Sequence, residues 1–234
     1  MNTHQNHSPE HQSLISTARI TGFWYLLLAI FGVLGFLVFH PKIFVPDNPQ
    51  NTLNNLIHLE SIARIRFGLE LIIILSQALA AVWFFKLFVN IKAWAAFAIG
   101  GWGLVNAAAI MVSAIAMGSA LEVAHFSTPS FEEKVVVIQV LNHIISQSWA
   151  IGGLFFGLWL IPMGHVVVVT KCMPIWLGKM LIVGGFGYLF NSLLIGFGFK
   201  NPAVEYLTIP ATIGEFWMIG YLLIFGIRPS NPTQ

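Results

Sequence analysis

The chain contains very little charge and only one cysteine. Of its 234 residues, 9% are charged and 57% are hydrophobic, and the mean hydropathy is +0.80. This is too little charge to cover the surface of a soluble domain, so the composition indicates a polytopic membrane protein. The single Cys172 excludes an internal disulfide and a cysteine-based metal cage. The net charge of +2 comes from scattered Lys and Arg residues, so we expect no nucleic-acid partner.

Six stretches of the chain are apolar over the roughly 20 residues that a transmembrane helix needs. They cover residues 20–39, 58–86, 93–117, 135–166, 175–194 and 207–226. The sequence therefore predicts an all-α polytopic membrane protein, with six transmembrane helices in one bundle over residues 19–228. Because no small-x-small cleavage pattern follows the first stretch, we expect it to be a retained helix rather than a removed signal peptide.

The remaining segments are polar. Residues 1–18 are predicted to form a disordered cytoplasmic tail, and residues 229–234 a short cytoplasmic tail. The two longer connections between spans, residues 41–55 and 118–134, are rich in Pro, Asn, Ser or Glu and are expected to be loops.

The positions of Lys and Arg near the span ends predict the orientation in the membrane. One side would hold six of them: Arg19, Lys86, Lys92, Lys171, Lys179 and Arg228. The other side would hold three, Lys42, Lys134 and Lys200, or five if Arg64 and Arg66 at the start of the second span are included. We therefore expect a protein of the cytoplasmic membrane with both termini in the cytoplasm and the two longer loops outside.

Several polar residues of the spans are candidates for a site inside the membrane. They are Arg64, Arg66, Glu70, His143, Asn191 and Glu215. At about 1.5 Å per residue from the span ends, the last four fall in one layer of the outer half, with the two arginines above it. An ionisable group at this depth is costly unless it is paired, so it is a functional candidate by default. We expect an outward-facing polar pocket between the second, fourth, fifth and sixth spans.

Spacing along the second span predicts two ion pairs. Glu60 and Arg64 are four residues apart, and so are Arg66 and Glu70. Because Arg64 and Arg66 point about 200° apart around a helix, only one pair can face the bundle centre. We predict that Arg66 faces inward, on a stripe with Glu70 and Gln77.

Glu215 and His143 each allow two interpretations. Glu215 follows a first-turn proline and would either pair with Arg64, Arg66 or His143, or stay neutral and able to exchange a proton. His143 is either part of the site or a hydrogen-bonded core histidine. The whole set of charges could also serve only to hold helices together.

Three functional hypotheses follow. The first is binding or transport of a small polar or amphiphilic molecule in the outward-facing pocket, where Arg64 or Arg66 meets an anionic group and Glu215 handles charge or protons. The second is a structural or regulatory membrane protein whose ion pairs only hold helices together. The third is a lipid-modifying enzyme, which is less favoured because no zinc-protease, nucleophile-elbow or phosphate-loop pattern occurs.

No catalytic residue, cofactor or metal site is predicted. Two sets of histidines have metal-compatible residue types: His4, His7 and His11 in the tail, and His58, His125 and His143. Both sets are weak patterns, the first because polar tails of this composition are usually disordered and the second because its members are dispersed. The expected partners are the lipid bilayer and a candidate small-molecule ligand, and the oligomeric state stays open.

A series of short motifs resembles a known membrane family. The motifs are Ala18-Arg19-x-x-Gly22-x-x-Tyr25-Leu26, Phe155-Phe156-Gly157-Leu158 with Pro162 and Gly164, Pro174-x-x-Leu177-Gly178, Gly185-x-Gly187-Tyr188-Leu189, and Pro210-x-x-x-Gly214-Glu215. In order and spacing they resemble the bacterial six-span family catalogued as domain of unknown function 4386, from Arg19 to Gly226. Glu60 and Arg64 resemble the family's acidic and basic pair at the start of the second helix. The resemblance implies a bacterial cytoplasmic-membrane protein without an assigned activity, and it brings no catalytic residues.

Overall fold

The computed structural model describes residues 9–199 and 201–228. These residues form eight α-helices: α1 (Pro9–Val33), α2 (His40–Ile43), α3 (Pro49–His58), α4 (Glu60–Phe88), α5 (Ala93–His125), α6 (Phe131–Thr170), α7 (Ile175–Gly196) and α8 (Ile209–Ile224). A π-helical segment, Leu34–Phe39, joins α1 to α2, and a 3-10 helix, Pro202–Thr208, precedes α8. The described residues contain no strand, so the prediction of an all-α protein is confirmed.

Within the described residues, six helical stretches are long and apolar enough to cross a membrane, as predicted. They are Glu10–Ile43, Glu60–Phe88, Ala93–His125, Phe131–Thr170, Ile175–Gly196 and Pro202–Ile224. The protein is therefore a multi-pass membrane protein. The 40 residues of α6 make a helix about 60 Å long, twice the roughly 30 Å of the hydrocarbon core. This helix therefore extends beyond the hydrocarbon.

The predicted disordered tail is partly helical. Helix α1 begins at Pro9, so residues 9–18 form its first turns rather than a disordered segment. Proline fits this position because the missing N–H has no helical partner there, and Glu10 interacts favourably with the helix dipole. Residues 1–8, with His4 and His7, and the predicted tail at 229–234 lie outside the described residues.

The two predicted loops are also largely helical, which corrects the sequence interpretation. In the first, Pro49 starts α3 and the Asn48 side chain accepts the Asn51 N–H at 2.9 Å as a cap. In the second, α5 continues to His125 and α6 begins at Phe131, so only residues 126–130 connect them. The reason is burial, because these extensions present apolar side chains at helical spacing to a common core.

The chain is organised in two compact units. Unit 1 contains the described residues of Met1–Leu26, Ala78–Leu104 and Gly153–Gln234, and unit 2 contains Leu27–Gln77 and Val105–Gly152. The core of unit 2 is apolar and draws on five helices, α2 to α6, and on Phe44 just after α2. It contains Ile43, Phe44, Leu53, Leu56, Ala63, Ala116, Met117, Ala120, Leu121, Ala124, Val135, Ile138 and Ile145. Alanines four residues apart on α5 allow the neighbouring side chains to pack closely against this helix.

Unit 1 is held together by glycines on facing helices. A Cβ atom on Gly178 would lie 2.7 Å from the carbonyl oxygen of Gly164, and a Cβ on Gly157 would lie 2.5 Å from that of Gly185. The backbones of α6 and α7 therefore touch directly at these positions, as small residues allow in membranes. Gly184 on α7 makes a similar close approach to Ala211 on α8. These glycine faces pack within one chain.

Candidate functional site

A buried ion pair lies at the centre of unit 2. Arg66 and Glu70 are one helical turn apart on α4, and Arg66 Nη1 donates to Glu70 Oε2. Both side chains are only 1% exposed. Gln77, two turns further along, is also buried, so the prediction that this stripe of the helix faces inward is confirmed.

The Glu70 carboxylate accepts hydrogen bonds from three helices. Besides Arg66 on its own helix, Ser113 Oγ on α5 donates to Glu70 Oε1 at 2.5 Å. Trp149 Nε1 on α6 donates to the same oxygen at 3.2 Å and to Ser113 Oγ at 3.0 Å. Both oxygens of Glu70 therefore accept hydrogen bonds, and the side chain ties α4, α5 and α6 together.

The Arg66 guanidinium, in contrast, has an unpaired edge. Its Nε and Nη2 atoms are buried and have no hydrogen-bond partner among the described residues. A buried donor without a partner costs about 1–3 kcal/mol, and more on a charged group, so native structures rarely keep one without a reason. The N–H bonds of Nε and Nη2 on one edge run parallel, which is the geometry that binds two oxygens of a carboxylate or phosphate.

An aromatic ring lies against the Arg66 guanidinium. The Cζ atom of Arg66 lies 5.3 Å from the centroid of the Phe36 ring, within the range of a cation–π contact. The Phe36 ring packs edge-on against Trp149 with centroids 4.0 Å apart, and it stacks on His40 at 5.6 Å. His40 Nδ1 is a second buried polar atom without a partner among the described residues. The site therefore combines unpaired polar atoms with apolar walls.

Phe36 is presented by an unusual helix. It lies in the π-helical segment Leu34–Phe39, which joins α1 to α2. π-Helical turns are rare and occur often at functional sites, because one extra residue per turn displaces a side chain from its α-helical position. The segment is thus an independent sign that this part of unit 2 is functional. We call Phe36, His40, Arg66, Glu70, Ser113 and Trp149 the Arg66 centre.

The other predicted arginine lies on the surface. Arg64 forms the predicted pair with Glu60, at 2.7 Å, but its side chain is 66% exposed. Glu60 also lies 3.4 Å from His125 Nε2. As expected, only one of the two ion pairs of this helix is directed inward, and it is the one that contains Arg66.

His143 is exposed, so the interpretation of it as a core histidine is wrong. It lines a cavity of about 210 Å³ in unit 2, together with Asp47, Asn48, Asn142 and Ser146. The hydrogen bonds of Arg66 and Glu70 are made with each other, Ser113 and Trp149, and none of them involves His143.

Glu215 and Asn191 belong to unit 1, whereas the residues of the Arg66 centre belong to unit 2. The carboxylate Oε1 of Glu215 accepts a hydrogen bond from the Tyr25 hydroxyl at 2.7 Å. Tyr25 in turn packs against Trp159, with ring centroids 5.2 Å apart. Within the described part of the chain, no Arg or His forms an ion pair with Glu215, so a hydrogen bond from tyrosine takes the place of the predicted pairing.

Four residues of the Arg66 centre are absent from the sequence prediction: Phe36, His40, Ser113 and Trp149. Nothing in the sequence marks a π-helical turn, and Trp149 is one of eight tryptophans.

The residues that the structure describes contain no group of three or more His, Cys, Asp or Glu side chains that could hold a metal ion. His58, His125 and His143 are therefore not brought together as a zinc site. His125 Nδ1 instead donates a hydrogen bond to the Leu121 carbonyl oxygen at 2.9 Å, and its Nε2 lies 3.4 Å from Glu60.

Comparisons with known proteins identify a family. The family model described as Domain of unknown function (DUF4386) matches residues 20–226. The chain is also 29% identical over 69 residues to a protein of Archaeoglobus fulgidus described as an uncharacterized protein. That similarity covers 30% of this chain and 43% of the relative, so the matched part is less than half of either protein. No solved structure matches the chain.

Proposed function

The chain belongs to the DUF4386 family, and we propose that it binds a small amphiphilic molecule through a carboxylate or similar two-oxygen group at Arg66. The observation that carries this proposal is the buried, unpaired Nε and Nη2 edge of the guanidinium. With both termini in the cytoplasm, as the distribution of basic residues predicts, this site lies in the outer half of the cytoplasmic membrane.

The asymmetry between the two members of the ion pair supports binding. If the pair only held helices together, both groups would gain from being fully hydrogen-bonded. Glu70 has donors from three helices, whereas Arg66 keeps two of its three nitrogens unpaired in a buried position. A group kept at a cost to stability is commonly a functional one.

The surroundings define the class of ligand. Two parallel N–H bonds fit two oxygens on one atom, and the Phe36 and Trp149 rings offer an apolar surface beside them. Because Glu70 already compensates the positive charge of Arg66, the ligand group needs directed hydrogen bonds more than it needs charge. A monocarboxylate with a short aliphatic or aromatic body meets these conditions.

The π-helical segment provides the route of entry. It carries Phe36 against the guanidinium, while its neighbour Leu37 is 74% exposed. A shift of this segment from π- to α-helical hydrogen bonding would turn Phe36 away from Arg66 and uncover the unpaired edge. The bound ligand would then replace Phe36 as the neighbour of the guanidinium.

Thermal unfolding of the purified protein in detergent tests the proposal. We would add hexanoate, octanoate and phenylacetate, each compared with its primary amide, which lacks the second oxygen. A ligand at 100 times its Kd stabilises by about 2.7 kcal/mol, which raises the Tm of a chain of this size by roughly 5–10 °C. We expect the carboxylates to raise the Tm and the amides not to do so.

Two matched arginine variants locate the effect. Arg66→Lys keeps a cation for Glu70 but removes the two parallel N–H bonds, so the ligand-induced shift should disappear. Arg64→Lys makes the same exchange at the exposed pair and should leave the shift unchanged. A shift that survives in Arg66→Lys, or the absence of a shift with every carboxylate in the wild type, would refute binding at Arg66.

A structural role of the same residues is the second candidate. It is favoured by one observation, namely that Ser113 and Trp149 enclose Glu70 so completely that the pair is almost inaccessible. On this alternative the ion pair fixes the register of α4 against α5 and α6. No ligand would then change the Tm, while variants of the pair would still be destabilised.

A further inference from the structure

The chain after α8 is folded back onto the end of unit 1. Helix α8 ends at Ile224, and Gly226 has a positive φ of 72°, a conformation that favours glycine. Two residues later, the backbone N–H of Arg228 donates to the carbonyl oxygen of Cys172 at 2.9 Å, in the connection between α6 and α7. This turn fixes the backbone of Arg228 beside the connection between α6 and α7.

A groove with one cationic wall lies at this turn. Its volume is about 490 Å³, and its walls include His11 and Ile15 from α1, Trp217 and Tyr221 from α8, and Arg228. The Arg228 Cζ atom lies 5.9 Å from the centroid of the Tyr221 ring. The groove therefore combines a guanidinium and a histidine with aromatic and aliphatic surfaces.

We infer that this groove binds the headgroup and the first acyl carbons of an anionic phospholipid. The groove lies where the apolar spans that contain α7 and α8 end, which is the level of the lipid headgroups. Tryptophan and tyrosine are favoured at this level, and arginine binds phosphate oxygens there. The charge of Arg228 selects an anionic lipid, and Phe225, which is 65% exposed, extends the apolar surface towards the acyl chains.

The choice of a lipid over a soluble phosphate rests on the composition of the walls. A site for free phosphate would surround the anion with several donors. Here Arg228 is the only arginine or lysine among the lining residues, and the aliphatic side chains of Ile15 and Ile227 gain from contact with the glycerol and acyl carbons of a lipid.

The test uses the full-length protein, delipidated in detergent. Phosphatidylglycerol and phosphatidylcholine with identical acyl chains are titrated separately, and lipid binding is measured by native mass spectrometry and by the rise in Tm. We expect phosphatidylglycerol to bind more tightly than phosphatidylcholine. A single basic residue near the headgroups contributes about 1 kcal/mol, so Arg228→Gln should weaken phosphatidylglycerol binding roughly fivefold.

Lys179 provides the matched control. It lies at the beginning of α7, is exposed and sits 4.3 Å from the centroid of the Trp176 ring, but it does not line the groove. Lys179→Gln should therefore leave phosphatidylglycerol binding unchanged. Gly226→Ala, which strains the turn that positions Arg228, should weaken binding as Arg228→Gln does.

Other outcomes would overturn the inference. Equal binding of the two lipids would show that the groove does not select an anionic headgroup. Equal effects of Arg228→Gln and Lys179→Gln would show that only general surface charge matters. A rise in Tm with glycerol 3-phosphate alone, equal to that with phosphatidylglycerol, would identify the ligand as a soluble phosphate compound rather than a lipid.

Discussion

Removing the charge of Glu70 should destabilise the protein strongly. The substitution Glu70→Gln keeps an oxygen that can accept from Ser113 and Trp149, but it leaves the Arg66 guanidinium buried without a counter-charge. Removing one member of a buried ion pair costs about 3–5 kcal/mol. For a chain of this length, 1 kcal/mol corresponds to about 2–4 °C, so the Tm should fall by roughly 6–20 °C.

A double-mutant cycle separates the interaction energy of the Arg66–Glu70 pair from the other effects of replacing each side chain. Arg66→Met alone leaves the Glu70 carboxylate without its cation, so it should also destabilise by several kcal/mol, about as much as Glu70→Gln. The double variant contains no buried charge and should recover most of the lost stability, to within about 1–2 kcal/mol of the wild type. The two single effects should therefore be far from additive.

The assay is thermal unfolding in detergent, followed by intrinsic tryptophan fluorescence. The exposed pair supplies the control, because Glu60→Gln and Arg64→Met change the same residue types at a solvated site and should not shift the Tm beyond error. Additive effects of Glu70→Gln and Arg66→Met, or a loss no larger than at the exposed pair, would refute the description of a buried, mutually dependent pair.

Three further predictions follow from unit 1. Glu215→Gln should leave the Tm unchanged or raise it, because glutamine can still accept the Tyr25 hydroxyl and no cation loses its partner. Gly157→Ala should destabilise by about 1–3 kcal/mol or more, since the new Cβ would lie 2.5 Å from the carbonyl oxygen of Gly185. Cys172 should not react with a maleimide in the folded protein at neutral pH, because burial shields it and raises the pKa of its thiol, which leaves little thiolate.

Each of these predictions has a control in the same chain. For Glu215, the control is Tyr25→Phe, which removes the hydrogen-bond donor and should lower the Tm. A large loss of stability in Glu215→Gln would contradict the prediction, because it would indicate that the carboxylate is part of an ion pair. Gly101→Ala, where a Cβ would contact nothing within 4 Å, should be neutral or slightly stabilising. Unfolding in SDS should make Cys172 reactive, and rapid labelling before unfolding would contradict its burial.

Helix extent illustrates what local patterns can and cannot predict. The apolar runs located all six spans, because hydrocarbon imposes a minimum length of apolar residues on any helix that crosses it. They did not show that α3 is a helix or that α5 and α6 continue almost to each other. Those segments are polar on one side, and they become helical because apolar side chains such as Leu53, Leu56 and Ala120 are buried in the core of unit 2.

The contacts of the Arg66 centre also divide into those that local spacing predicts and those that only tertiary packing brings about. The spacing of Arg66 and Glu70 predicted their pairing, since an interval of four residues places both on one helix face. Ser113 and Trp149 come from other helices, and only packing brings them to Glu70. The opposite case is Glu215, which was expected beside an arginine or histidine and is hydrogen-bonded to Tyr25 instead.

By itself, the sequence determined that this protein crosses the membrane six times with α-helices and that the Arg66 side of α4 faces the protein interior. These properties depend on length, hydropathy and spacing within one helix, which are local quantities. Tertiary structure alone decided that Arg66 keeps an unpaired edge beside Phe36, that Arg64 and His143 are exposed, and that Glu215 belongs to another unit. These properties depend on which residues of distant helices come into contact, and hydrophobic patterns do not specify that choice.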